Sequence, residues 1–371
     1  MCSSRSIAAE NTTRINSIAF FYRVLNVHKI YIEKTLLENY QKKKVFEKWN
    51  TMTDEYRSPL VSVIIVNYNG RKFLTGCLGA IQNQDLVPFE VIIVDNASAD
   101  GSVEFIRQEF PSVRLCIQES NLGFAGGSNA GIRESKGDFI LTLNNDTVVS
   151  PGFIRALVQP MIADPSIGMC AAKMVLPDGR INSTGICISR SGAAWDRGGG
   201  EEEHGQYDLP EEVFGPCAGA ALYRRSMLDR IGLFDEDFFL FMEDVDLAFR
   251  AQLSGWKCMY VPAARVVHFQ GGTAHARSET AVYYGNRNVL WYVVKDFPLR
   301  VLILSVPWII GRNCGIIPYY LLSGKGLTIV RAKYDALKGI PRMLRKRRSI
   351  HKKGDETTTD TWIQTWSGFH R

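Results

Sequence analysis

Three apolar runs in this chain stop abruptly against small amides and acids, and that pattern leaves few folds open. Residues 60–66 read LVSVIIV and end at Asn67-Tyr68-Asn69-Gly70. Residues 90–94 read EVIIV and end at Asp95-Asn96, and residues 139–143 read FILTL and end at Asn144-Asn145-Asp146. Near-continuous Val, Ile and Leu runs of this length are strands covered on both faces. Helix-compatible stretches at 73–83, 102–110 and 126–135, with a further strand at 113–117, alternate with them. That alternation is the mark of βαβ units and a mostly parallel sheet, so the expected class is α/β. Open sheets of this kind bind ligands outside the carboxyl ends of their strands, where all three polar tips should converge.

The second half follows another rhythm. Residues 167–175 and 213–223 are strand-like, and the Gly-rich, acidic stretch 198–204 between them is expected to be mobile. Short helices at 227–232 and 244–253, strands at 257–261 and 265–269, and a long helix at 279–296 follow. After Pro298 come two apolar pieces, 301–311 and 314–322, split by Arg312-Asn313. Neither reaches the ~20 residues of a membrane span. Joining them sets Arg312 near mid-bilayer, at a cost of about 2.5–3.5 kcal/mol. Two readings stand: helices lying in a membrane interface, or a helical subdomain packed on the preceding domain. The expected layout is an N-terminal appendage at 1–58, a catalytic domain at 59–297, an apolar and basic helical extension at 298–353 and a polar tail at 354–371.

The formal charge of +6 over 371 residues is local in origin. Seven Lys and Arg residues lie between 341 and 353 with no acid among them, more than accounting for it. A basic patch confined to one segment fits a solvated helix face or a local anionic membrane surface, and argues against nucleic acid as a partner. Eight cysteines are scattered without a CxxC pair, as expected of reduced thiols in a cytosolic setting. Residues 1–58 show no secretory signal, so a cytoplasmic protein, peripheral on the inner face of the membrane, is expected.

Several clusters carry candidate chemistry. In Asn144-Asn145-Asp146 one carboxylate flanked by amides suits a hard divalent cation that keeps water and borrows phosphate oxygens. A plain turn is the alternative for such residues. Tyr68 could stack on a nucleobase, and Asp95 could accept from a base N–H or a ribose hydroxyl. Residues 121–131, NLGFAGGSNAG, form a Gly-rich loop opening a helix; with Asn121 and Gly126 it either cradles phosphate or simply packs closely. Neither G-x-G-x-x-G nor a P-loop is present. Glu243-Asp244-Val245-Asp246 opens a helix behind an aromatic run, where burial raises the basicity of Asp244 toward that of a general base. His268 is a core histidine or a ligand for a transition-metal ion.

Taken in order, VSVIIVNYNG, VIIVDNASADGS, NLGFAGGSNAGI, LNNDT, PCAGAALYRR, FFLFMEDVDLAFRAQLSGW and VVHFQGG resemble the bacterial family 2 glycosyltransferases of the rhamnosyltransferase-like branch, over roughly residues 59–296. The resemblance implies a GT-A fold, a nucleotide-diphosphate sugar donor, a Mg or Mn ion and inversion at the anomeric carbon. It implies nucleobase contacts at Tyr68 and Asp95, with Asn67 among the cofactor-binding residues. Asn144-Asn145-Asp146 matches the family's Asp-x-Asp, with Asp146 on the metal, Asp244 as base and His268 joining the metal and diphosphate site. Asn144 departs from the family's first Asp, leaving the metal fewer anionic ligands. Rhamnose is the sugar implied, and a saccharide or lipid-linked saccharide in cell-surface polysaccharide synthesis is the acceptor. A sugar nucleotidyltransferase and a non-catalytic sugar-nucleotide-binding module are the other readings of the same nucleotide sheet.

Overall fold

The computed structural model describes residues 61–84, 88–270, 278–350 and 361–364. The expected appendage at 1–58 lies outside the described residues, as do Gly271 and Gly272. Strand β1 (Val61–Asn67) sits inside a sheet between β2 (Phe89–Asp95) and β4 (Phe139–Asn144), parallel to both, and β3 (Arg114–Ile117) extends the sheet beyond β2. Helices α1 (Arg71–Gln82), α2 (Ser102–Glu109) and α3 (Gly123–Glu134) make the crossovers. Beyond β4 comes β5 (Thr147–Val149), then α4 (Phe153–Ala163), whose buried Phe153, Leu157 and Met161 recur at helical spacing. The second half adds antiparallel members, giving the mixed sheet of the GT-A type.

The order across the sheet runs β10 (Glu211–Val213), β12 (Lys257–His268), β6 (Ile167–Val175), β11 (Ala220–Arg224), β4, β1, β2, β3. Short β7 (Ile181–Ser183) pairs with β6, and β5 pairs with β12. Two expected strands, 257–261 and 265–269, are one strand here, with an irregularity between Val261 and Arg265 where Pro262 can give no ladder hydrogen bond. The expected strand at 213–223 is broken instead, because Gly215-Pro216-Cys217 turns the chain between β10 and β11. The 198–204 stretch is pinned rather than loose: Gly200 N–H donates to Ile181 O, Ile181 N–H to Glu201 O, and the buried Lys173 ammonium meets Glu203 at 2.7 Å.

A second, three-stranded sheet joins β8 (Ile186–Ser189), β9 (Ala194–Asp196) and β13 (Ile363–Gln364). Within the segment read as a polar tail, Ile363–Gln364 pairs as this strand, with Ile363 opposite Ile188. Helices α5 (Arg225–Ile231), α6 (Glu243–Leu253) and α7 (Glu279–Asp296) complete the domain. The apolar pieces after Pro298 form one uninterrupted helix, α8 (Leu299–Leu322), and α9 (Gly326–Ile350) packs back along α7. Trp291 of α7 lies over Gly339, where an added Cβ would sit 2.4 Å from its Nε1.

The glycines of α3 illustrate what holds the first layer together. A Cβ at Gly131 would lie 2.6 Å from Ile64 and one at Gly127 would lie 2.8 Å from Val66. These two positions, one turn apart, let the helix press directly on β1. In α1, by contrast, a Cβ at Gly79 meets nothing within 4 Å. Gly131→Val should therefore destabilise by about 1–3 kcal/mol through overpacking. Gly79→Ala should stabilise by about 0.5–1 kcal/mol through chain entropy and helix propensity. Paired urea unfolding curves of the two variants check both signs.

Candidate active site

In-register pairing sets the polar tips level: Asn67 lies opposite Asp95, and Val66 opposite Asn144. Asn67 is fully buried and joins all three. Its Nδ2 donates to Asp95 Oδ1 (2.9 Å) and to Ser98 Oγ (3.2 Å), while its Oδ1 accepts from Asn145 Nδ2 (2.8 Å). Asp95 Oδ2 accepts from the Ser98 N–H at 2.8 Å. Asn67, Asp95 and Asn145 therefore frame the edge through one another, with Asp95 and Asn67 buried. Tyr68, half-buried at the same tip, keeps a surface available for stacking.

The Gly-rich stretch opens a helix that starts at Gly123, so Gly126 lies in its first turn and is buried. Asn121 caps the turn, its Oδ1 accepting from Gly123 N–H (2.8 Å) and Asn96 Nδ2 (3.3 Å). Ala125 N–H donates to Phe239 O at 3.2 Å, and Gly123, in the left-handed region at φ +69°, leaves no room for a side chain against that same carbonyl. This side of the edge is thereby fastened to the loop before α6.

Asp146, just ahead of β5, and His268 of β12, the strand that pairs with β5, come together, with His268 Nε2 at 3.2 Å from Asp146 Oδ1. Asn144 Nδ2 approaches the same ring nitrogen at 3.3 Å. The other nitrogen, Nδ1, is 2.6 Å from Asn182 Oδ1 on β7. That carbonyl can only accept, so Nδ1 carries a proton and Nε2 is the atom turned to the Asp146 carboxylate. A carboxylate and an imidazole nitrogen at this distance can share a cation when the ring is neutral. Among the described residues no cluster of three His, Cys, Asp or Glu side chains could enclose a metal alone. The protein thus offers a carboxylate and an imidazole, and a hard ion would take its remaining oxygens from water and phosphate.

Asp244 opens α6. It is partly exposed, accepting from Ala218 N–H at Oδ2 (3.2 Å) and from Val245 N–H at Oδ1 (2.8 Å). Burial pushes its carboxyl up to about 6, the Ala218 N–H pulls it down, and the negative charge of Asp196 adds to the rise. Its neighbour Glu243 is buried deeper, and desolvation together with Asp244 drives its carboxyl well above the ordinary range. Both carboxyls of the pair are thus raised, the deeper Glu243 further than Asp244. The approach to Asp244 is strained: Phe239, Phe241 and Met242 occupy the left-handed region at φ 66°, 66° and 69°. Asn288 of α7 holds this loop, its buried amide donating to the carbonyls of Phe238, Leu240 and Phe241 at 2.9, 2.9 and 2.7 Å. Arg287 adds bonds to Asp237 O and Phe238 O, both 2.9 Å.

The Asp146–His268 pair and Asp244 share a border. Asn144 N–H donates to Gly219 O, Thr142 Oγ1 to Ala218 O, and Ala218 N–H to Asp244, so β4 and the 217–219 turn bind one to the other. Asp196 of β9 interacts electrostatically with both His268 and Asp244 and hydrogen-bonds with Ser183 and Cys217; burial raises its own carboxyl. Sequence reasoning missed Asp196, Asn182 and Asn288. The stretch AAWDRGGG carries no spacing signal, and both Asn182 and Asn288 gain their roles through contacts distant in the chain.

A mixed, mostly parallel sheet with a framed polar edge, a carboxylate–imidazole pair and a raised carboxylate on a neighbouring helix defines a GT-A-type glycosyltransferase. Residues 62–232 match the profile of Glycosyl transferase family 2. The chain is 29% identical over 266 residues to the N-acetylglucosaminyl-diphospho-decaprenol L-rhamnosyltransferase of Mycobacterium tuberculosis, covering 63% of this chain and 86% of that protein. It is 28% identical over 210 residues to the glycosyltransferase YwdF of Bacillus subtilis, covering 56% and 73%. Among solved structures, S. aureus TarS superposes with a TM-score of 0.53 at 16% identity over 84% of this chain and 56% of that one. GalNAc-T7 with UDP, GalNAc and Mn2+ gives 0.55 at 16% identity over 80% and 58%; at such identities the likeness is one of fold. The matched profile and the 29% identical relative support a family 2 glycosyltransferase of the rhamnosyltransferase-like branch.

The position of the Asp244 carboxyl near 6 has a kinetic consequence. If only its ionised form acts, activity should fall about tenfold between pH 7 and pH 5. Asp196→Asn removes a negative charge that raises Asp244, so the acid limb should move to lower pH. Rates measured from pH 4.5 to 8 for both proteins check the direction, and an unmoved or upward-shifted limb rules out the coupling.

Proposed function

We propose that this enzyme transfers a sugar, rhamnose first among the choices, from a nucleotide-diphosphate donor to a hydroxyl of a saccharide or lipid-linked saccharide, with inversion at the anomeric carbon. The observation that carries the reading is Asp244: a partly exposed carboxylate, raised toward neutrality, bordering the edge that holds Asp146 and His268. The relative from M. tuberculosis supports a rhamnosyl donor and a lipid-linked acceptor in its name, and the Mn2+ and UDP of GalNAc-T7 support a divalent ion and a nucleotide donor.

Tyr68 is assigned the nucleobase, in the frame that Asn67 and Asp95 hold rigid. Asp146 and His268 would hold Mg or Mn, which when bound neutralises charge on the departing diphosphate. Asp244 accepts the proton of the acceptor hydroxyl as its oxygen attacks the anomeric carbon. The bond from that carbon to the diphosphate oxygen breaks on the opposite face, and the electron pair leaves with the nucleoside diphosphate. The 217–219 turn and Asn288 fix the carboxylate in place during the transfer.

Two variants separate the roles. Asp244→Asn should lower kcat by at least 10³-fold while donor affinity stays within about twofold, since removal of a general base acts on the chemical step. Asp146→Ala should abolish the Mn2+-dependent part of donor binding in calorimetry with dTDP-rhamnose. Near-normal turnover of the first variant removes Asp244 from the base role; unchanged metal-dependent binding by the second removes Asp146 from the metal. Product analysis by NMR tests inversion directly.

A further inference from the structure

Helix α8 presents two different faces. Val301, Ser305, Ile309, Arg312, Ile316 and Tyr320 recur every three or four residues and point inward, with Arg312 beside Tyr292 and Tyr320. The opposite side is apolar and open to solvent: Ile303 is 61% exposed, Trp308 45% and Leu322 90%. Helix α9 repeats the arrangement. Its inner stripe, Ile329, Ala332, Ala336, Gly339 and Met343, packs toward α7, where Trp291 Nε1 donates to Ala336 O at 3.0 Å. Its outer stripe, Leu327, Val330, Tyr334, Leu337 and Leu344, faces solvent at the same spacing. Soluble domains rarely expose apolar surface on this scale without a partner for it.

We infer that this double face docks in the plane of a bilayer with anionic headgroups. Charge complementarity chooses the occupant. Residues 299–350 contain eleven Lys and Arg against one acid, Asp335, and that acid is turned to Tyr283 Oη at 2.6 Å. Exposed Arg300, Lys338, Arg345 and Arg348 border the apolar residues, where long cationic side chains reach headgroups while their stems stay apolar. The outward side of α8 has no charged residue between Arg300 and Lys325, wider than the narrow seam with charged flanks that a coiled-coil partner requires. The helix lies along the surface rather than crossing it, because its inward stripe runs its whole length and carries Arg312 away from lipid. Trp308, Tyr319 and Tyr334 supply the amphipathic rings favoured at such interfaces. This docking does not rest on the transfer reaction.

The test is flotation of the full chain with vesicles of phosphatidylcholine alone or with 30% phosphatidylglycerol. The wild-type protein should float with the anionic vesicles and weakly with the neutral ones. Arg345→Gln with Arg348→Gln should lower anionic partitioning about fivefold per charge, following about 1 kcal/mol for each cation. Ile303→Ser with Trp308→Ser should lower it at least tenfold, with unfolding temperature and transfer to a water-soluble acceptor retained in both. Absence of flotation on either vesicle, or flotation that both double variants leave unchanged, overturns the inference. So does a dimer that Tyr334→Ser with Leu337→Ser dissociates while flotation is unaltered, since a second copy would then own the face.

Discussion

The whole active edge depends on the parallel register around β1. Because Asn67 lies opposite Asp95 while Val66 lies opposite Asn144, three chain ends emerge at one level, and one buried amide can reach two of them. A slip of a single residue would invert every side chain on β1 and turn Asn67 to the other face. The near-continuous Val and Ile composition resists that slip less through alternation than through close cover from α3. Gly127 and Gly131 bring that helix onto β1, so the donor-side frame is held by backbone proximity as much as by polar bonds.

The catalytic half is built on a different principle, that of unequal burial. Glu243 and Asp244 are neighbours, yet burial drives the deeper one well above the ordinary range, while the shallower one meets Ala218 and Val245 N–H groups that favour its charge. Two adjacent carboxyls are thereby set in unequal environments. Holding Asp244 at that depth requires a backbone that ordinary residues resist, with three non-glycine residues in the left-handed region just ahead of it. Asn288 and Arg287 satisfy the carbonyls that such a path exposes, and Ala125 satisfies one more from the donor side. The strained loop is therefore the joint between the two halves of the site.

What could be read from the sequence was what local chemistry decides. Buried parallel strands declare themselves through Val and Ile, and their polar tips at 67, 95 and 144–146 landed where a sheet edge requires. Asp146 and His268 also met, because β5, which Asp146 immediately precedes, pairs directly with β12. What the sequence hid shares a cause. Gly127 and Gly131 of the Gly-rich stretch serve contact with β1, a fact set by the partner strand. The insert from β7 to β10 uses strands of three or four residues, too short to show a period, so Asp196 and Asn182 stayed hidden. Helix α8 was divided at Arg312 because a charge amid apolar residues reads as a break. In three dimensions the guanidinium turns toward Tyr292 and the helix continues.

The basic run near the C terminus shows how far charge counting can mislead without geometry. Lys346 reaches Asp235 at 2.5 Å and Asp237 at 2.6 Å, Arg342 meets Asp237 at 2.9 Å, and Arg347 donates to Val294 O at 3.0 Å. Asp235 also binds Lys295, which in turn pairs with Asp246 of α6, and Arg250 closes the chain onto Asp246 at 2.8 Å. Burial pushes the Asp235 carboxyl up, but Lys295 and Lys346 outweigh it and hold it well below the usual range. Asp246 lies two residues past Asp244 on the same helix. Removing one partner of such a buried network leaves an uncompensated charge, commonly a cost of about 3–5 kcal/mol. Part of the basic stretch is thus committed inward to the helix that bears Asp244, and among its described residues Arg345 and Arg348, with their neighbours on the outer stripe, are left for an external surface. One helix serves both ends: its inner charges tie it to the catalytic domain, which lets its outer face meet a partner as a rigid continuation of that domain.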